Sequence, residues 1–274
     1  MMDATGRKSC LALLLLLVSC SVKETRSGCP CSLVLDLDEV IESGTYVEAV
    51  ASVDPVGLPY PGREKIDIPS YLGTGYERTV PKNLVLTSVV CGFKNNLFEG
   101  DAVRVRNDCQ ADPIMAFALA KECREDRELV HVALHKQYCR IYFTFEEDAA
   151  ADGYPFILRV RAACNGFRLY DLSPVEGRFE AVACENDKGI LSLDVPRQNG
   201  ALLILELLEP ESYGQGVEEV VCEVDLGERL RSMGYDWNAE DLDDASVRID
   251  CSLVEIELGV LPWENEYGYS DWEI

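Results

Sequence analysis

Short runs in which every second residue is apolar recur along this chain, and Gly, Pro and Asn punctuate them. Successive side chains of a strand point to opposite faces, so such alternation predicts half-buried strands. In the first half it predicts them over residues 32–37, 46–53, 84–91, 102–106, 129–134 and 140–145. In the second half it predicts them over residues 156–162, 167–170, 178–183, 189–195, 202–208, 217–223 and 248–256. Two stretches read differently. Asp112 stands as an N-cap before Pro113 and a group of alanines, which predicts a short helix over 113–123. A second helical patch places Leu226, Leu230 and Met233 on one face. The acidic, small-residue run from Glu146 to Gly153 separates the two sets of strands and is the best domain boundary. Many short strands with few helices predict a mainly β chain of two sandwiches, one over 29–150 and one over 151–274.

The first thirty residues carry a different pattern. Arg7 and Lys8 precede an apolar run over 11–18 that is too short to cross a bilayer as a mature helix. Residues 1–19 therefore read as a signal peptide. The core ends in Leu17-Val18-Ser19-Cys20, the lipobox pattern of bacterial lipoprotein signals, and Cys20 becomes the expected mature N-terminus. Its sulfur would take a thioether to diacylglycerol and its amine a further acyl chain. Each buried methylene contributes about 0.8 kcal/mol, so such an anchor holds where a single myristoyl chain does not. A buried cysteine ending a signal anchor is the plainer alternative, and it leaves the agreement of all four lipobox positions unexplained. Ser21 stands where an aspartate would signal inner-membrane retention, so the expected location is the cell outer membrane, lipid-anchored. Residues 20–28 are polar and small, as a tether requires. No later run of eighteen apolar residues occurs.

Composition narrows the function. The formal charge is −24, and losing Asp3, Arg7 and Lys8 with the signal takes it near −25, which excludes nucleic-acid binding by a basic surface. From Glu206 to the end there are 20 acidic residues against Arg229, Arg231 and Arg248. A solvated acidic face accounts for this; a basic partner or divalent cations are the functional alternative. Of 12 cysteines, ten remain after Cys10 and Cys20 are set aside; export permits disulfides whose connectivity the sequence leaves open, and simple buried thiols are the alternative for several of them. Cys29-Pro30-Cys31 lacks redox C-x-x-C spacing, and no zinc-ribbon spacing occurs. His131 and His135 alternate with Val130, Val132 and Leu134 as on a strand, where they would stand about 13 Å apart, too far to share a metal. Asp36, Asp38 and the 241–244 cluster lack the glycine and terminal glutamate of an EF-hand. No G-x-S-x-G elbow or phosphate loop occurs, so neither an enzyme nor a cofactor is expected.

Val224-Asp225-Leu226-Gly227-Glu228-Arg229-Leu230, then Gly234-Tyr235-Asp236-Trp237, then Asp241-Leu242, Asp244 and Val247-Arg248-Ile249-Asp250, form one C-terminal block. It resembles the signature of the fimbrial anchor lipoproteins of the Bacteroidales. The opening Cys29-Pro30-Cys31, with Leu33, Leu35, Asp36 and Leu37 soon after the lipobox, is similar to that family's first strand. Leu84, Leu86, Gly92 and the segment from Val130 to Ile141 follow in a similar order. The resemblance implies two tandem transthyretin-like β-sandwiches and a role at the base of a type V fimbria. There the anchor holds fimbrillin shaft subunits to the outer membrane and limits the length of the shaft. Shaft subunits lose a first strand to a trypsin-like protease and accept a donor strand, whereas an anchor keeps its own. Arg26 offers such a protease a site in the tether, and the tail 263–274 alternates poorly for a donor strand. A fimbrial tip or accessory subunit is one alternative. A surface lipoprotein binding glycan or a host protein is another, with Trp263, Tyr267, Tyr269 and Trp272 as candidate stacking residues unless they pack on the core. Trp237 is expected to be buried.

Overall fold

The computed structural model describes residues 29–58, 62–145, 155–186, 189–200, 202–250 and 255–263. The signal segment, Cys20, the tether and the acidic run at 146–153 lie outside the described residues. The chain is mainly β. The first half runs β1 (Pro30–Asp36), helix α1 (Asp38–Glu42), β2 (Glu48–Pro55), β3 (Arg63–Asp67), β4 (Tyr76–Pro81) and β5 (Leu84–Cys91). It continues through β6 (Leu97–Glu99), β7 (Ala102–Arg104), β8 (Met115–Glu122), β9 (Arg127–His131), β10 (His135–Lys136) and β11 (Tyr138–Phe145). The second half runs β12 (Ile157–Arg168), β13 (Pro174–Val182), β14 (Cys184–Glu185), β15 (Leu191–Pro196), β16 (Leu203–Leu208) and β17 (Val220–Asp225). It ends with helix α2 (Leu226–Ser232), β18 (Asp244–Asp250) and β19 (Glu255–Leu261). No described helix is long and apolar enough to cross a membrane.

Among the described residues four sheets pair around two cores. A three-stranded sheet, β4-β1-β9, and a five-stranded one, β10-β8-β5-β2-β3, enclose the first. There Cys31, Leu33 and Leu35 of β1 cluster with Ala51 and Val53 of β2, Val85 and Val89 of β5, and Phe117 of β8. β1 runs antiparallel to β4 and parallel to β9, so both of its edges are hydrogen-bonded. The second core lies between β14-β15-β11-β18-β19 and β17-β16-β12-β7-β6, with β13 on β12. β12 alternates half-buried and buried side chains along most of its length, as a strand with one face on a core should.

Two connections bind the halves. The β6–β7 hairpin leaves the first half and pairs with the end of β12, through Gly166↔Arg104, Phe167↔Val103 and Arg168↔Ala102. A Cβ on Gly166 would lie 1.9 Å from the Val103 carbonyl oxygen, so this close approach admits only glycine. Around it Val90, Ile114 and Ala116 cluster with Val103, Phe167 and Leu169, an apolar seam shared by both halves. Gln137 is the second crossing: β10 before it pairs with β8, and β11 after it pairs with β15 and β18.

Three departures from the sequence reading bear on the architecture. The helix expected over 113–123 is strand β8. The Asp112 carboxylate caps no helix; its Oδ2 accepts the main-chain N–H groups of Lys94, Asn95 and Asn96 at 2.8, 2.7 and 2.8 Å. The freed segment then pairs with β5 over eight residues, and that ladder outweighs the helical preference of its alanines. β11, assigned from the sequence to the sandwich over 29–150, lies at the centre of a second-half sheet, because Cys139, Ile141 and Phe143 fit that core. The strand expected over 248–256 falls instead on two strands, the end of β18 and the start of β19, which pair antiparallel.

Candidate functional site

The residues singled out from the sequence fall at two places. Cys20 lies outside the described residues. Cys29 is exposed in the bend that leads into β1, and Cys31 is fully buried in the first core. Gly234, Tyr235, Asp236 and Trp237 lie together at the end of α2, against the crossing at Gln137.

Local chemistry builds that block from α2 outward. Asp225 caps the helix, accepting the Glu228 N–H at 2.8 Å, and Leu226 and Leu230 face the core. Gly234 ends it at φ +88, a left-handed backbone that side chains resist. Its N–H donates to Arg231 O at 3.0 Å and the Tyr235 N–H donates back to Leu230 O at 3.0 Å, the paired bonds of a Schellman stop. Tyr235 and Trp237, both 5 % exposed, then turn inward with ring centroids 4.7 Å apart. The Tyr235 hydroxyl donates to Asp243 O at 2.7 Å, and burial raises its pKa well above the usual phenol value. Asp236 stays outside as a turn residue, accepting the Asn238 N–H at 2.8 Å.

The loop thus placed grips the crossing. Asp241 Oδ1 accepts the Lys136 N–H at 2.6 Å while its Oδ2 lies 3.1 Å from His135 Nδ1. Asp244 Oδ1 takes the Lys136 ammonium at 2.5 Å and the Arg140 N–H at 2.8 Å. Lys136 is 1 % exposed, and its ammonium sits 4.8 Å over the Tyr138 ring and 4.4 Å over the Trp263 ring. Arg140 forks onto Asp194 at 2.6 and 2.8 Å. Burial raises the Asp244 carboxyl above the usual carboxylate range, against the opposing pull of Lys136 and Arg140.

Arg197 fastens the loop from beneath. It is 6 % exposed and donates to Gln137 Oε1 at 3.0 Å, Trp237 O at 2.8 Å, Ala239 O at 2.7 Å, Glu240 O at 3.0 Å and Lys136 O at 3.4 Å. Burial lowers its pKa from the ordinary guanidinium value. Gln198 beside it is 1 % exposed and bridges Cys164 N, Cys164 O and Pro196 O. Sequence reading missed both, giving no role to the residues between the strands expected over 189–195 and 202–208; two long polar side chains beside an apolar strand were the only hint. The arrangement pairs charges and carbonyls to fix one orientation of the two halves.

Other candidates scatter. His131 Nδ1 lies 2.8 Å from Asp36 Oδ2 at an exposed position, and His135 meets a different carboxylate. Among the described residues no group of three or more His, Cys, Asp and Glu side chains gathers as metal ligands. Part of the acidity is structural: Glu206, 3 % exposed on β16, takes Arg159 at 2.6 Å and Arg161 at 2.5 Å. Trp263 covers Lys136, whereas Tyr267, Tyr269 and Trp272 lie outside the described residues.

No protein-family model matches this sequence, and no curated protein matches it. Solved structures do match. A protein described as polysaccharide-binding from Bacteroides thetaiotaomicron superposes with a TM-score of 0.56 at 11% identity, over 85% of this chain and 95% of its own. A candidate adhesin from Bacteroides ovatus gives 0.55 at 10% identity, over 88% and 95%. The fimbrial anchor protein Mfa2 from Porphyromonas gingivalis gives 0.54 at 9% identity, over 86% and 98%. The chain has the fold of these Bacteroidales surface-adhesion and fimbrial β proteins along nearly their whole length.

Proposed function

We propose that this chain is an exported lipoprotein, held to the outer membrane through lipidated Cys20, that anchors a type V fimbria to the cell surface. It limits the fimbria's length through contacts with fimbrillin shaft subunits. The observation that carries the reading is the position of β1. A lipobox cysteine precedes it by ten residues, and the strand is hydrogen-bonded along both edges within its own sandwich. A subunit whose first strand is cut away and replaced by a neighbour's donor strand needs that strand to leave; a tethered base subunit needs it to stay. The fold shared with a fimbrial anchor protein and the clasped crossing at Gln137, which stiffens the path from tether to far end, support the same reading. Catalysis has no part in it.

A second reading, a surface lipoprotein that takes a glycan, draws on the fold shared with the polysaccharide-binding protein of Bacteroides thetaiotaomicron. Replacing Cys20 by alanine separates the two. The anchor reading expects loss of lipidation, release of the protein from the membrane fraction, and fimbriae shed into the medium and longer than normal by electron microscopy. Fimbriae of normal length still attached to the Cys20→Ala strain would overturn it and leave the glycan reading, which binding to immobilised polysaccharide then tests.

A further inference from the structure

Cys31 is the second residue of β1, and Cys123 follows the last residue of β8. They lie 92 positions apart in sequence, and three main-chain hydrogen bonds draw them together. The Lys82 N–H donates to Cys29 O at 2.9 Å, the Cys123 N–H donates to Asn83 O at 2.9 Å, and the Ser32 N–H donates to Asp126 O at 2.8 Å. Adjacent residues 82 and 83 thus hold the two segments from one side, and the turn after β8 closes on β1 from the other. Both side chains belong to the first core, 0 % and 2 % exposed, where burial and then the neighbouring Cys31 thiol raise the pKa of Cys123. Cys29, two residues earlier, is exposed.

We infer that Cys31 and Cys123 form a disulfide in the exported protein, and that this bond carries pull on the lipid tether from β1 into the body of the first sandwich. The inference rests on the export and tethering proposed above. Pull on residue 29 otherwise peels β1 from β4 and β9 one hydrogen bond at a time from its N-terminal end. A bond at the second residue of the strand passes the force to residue 123 before most of those bonds are loaded. It also holds β1 in its sheet against displacement by a strand from a neighbouring subunit.

The chemistry is thiol–disulfide exchange. Two thiols lose two protons and two electrons, an S–S bond forms, and a disulfide of the exporting compartment, small-molecule or protein, is reduced to two thiols. Thiolate is the attacking species, and burial in the folded chain holds the Cys123 thiol up, at about 12. Exchange therefore occurs while the chain folds, before the core closes.

The test refolds the full chain from denaturant in mixed reduced and oxidised glutathione, blocks free thiols and digests with trypsin without reduction. The expected product is peptide 122–124 joined to peptide 27–63, retained in Cys29→Ser and lost in Cys31→Ser. Because the unsubstituted chain is mapped directly, poor folding of a variant does not obscure the answer. Both thiols blocked in the refolded chain, or a link through Cys29, overturns the pairing. A link that forms on refolding but is missing from protein taken from cell envelopes overturns the inference through its premise of export. Pulled between residue 20 and the C-terminus, the oxidised chain should release a contour shorter by about 30 nm than the reduced one, at about 3.4 Å per locked residue. Equal contours overturn the force path.

Discussion

Arg197 directs its five N–H groups at four main-chain carbonyls and one amide oxygen, at a place where water has little access. Removing it leaves those acceptors buried without donors. Arg197→Ala should therefore cost about 3–5 kcal/mol in urea unfolding, the range for stripping one member from a buried charged network. Arg197→Lys keeps the charge with three donors in the wrong geometry and should fall between. A loss below about 1 kcal/mol would show that the loop 235–244 holds without its clasp. Buried thiols make a second residue-scale prediction. Burial pushes Cys91 and Cys139 up to about 12, whereas an unfolded cysteine titrates near 8.5. Below about pH 8 both states keep the proton and pH has no leverage through these groups. Above it the unfolded chain releases protons first, so stability should fall by up to about 1.4 kcal/mol per pH unit for each thiol, until the folded value is passed. Unfolding midpoints flat between pH 8 and 10.5 would contradict this. That these positions carried cysteine was plain; that they faced a core followed only from the pairing of their strands.

At the scale of elements, local signals worked where local physics decides. β5 begins and ends where its apolar run does, at Leu84 and Cys91. α2 follows the spacing of Leu226 and Leu230 and stops at Gly234 because only a residue without Cβ takes φ +88 easily, although Met233 lies outside the buried stripe at 47 % exposed. β8 shows the limit. Asp112-Pro113 followed by alanines is a fair helix start, yet three main-chain donors 16 to 18 residues earlier take the carboxylate a cap would have used. β3 and β4 escaped notice for a related reason. They are charged on their outer faces and owe their extended form to β2 and β1 beside them.

For the whole molecule, the consequential crossing is at Gln137, thirteen residues before the division expected from composition. β11 pairs with β15 over six residues and with β18 over five, so the acidic run at 146–153 connects two strands of the second half. Proteolysis there should nick the chain without dividing it: two bands on a denaturing gel, one particle by gel filtration. A fragment over 151–274 lacks the central strand of its own sheet and should show no cooperative melt by circular dichroism. A well-folded 151–274 fragment would restore the division read from composition. What the sequence by itself determined is whatever one segment carries alone: the alternation that makes the chain mainly β, and the glycine stop of α2. Tertiary structure decided which sheet β11 joins, why Arg197 and Gln198 are buried, and that Cys31 meets Cys123. Each of those depends on segments far apart in sequence coming into register, and neither partner carries a mark of the other before the core closes between them.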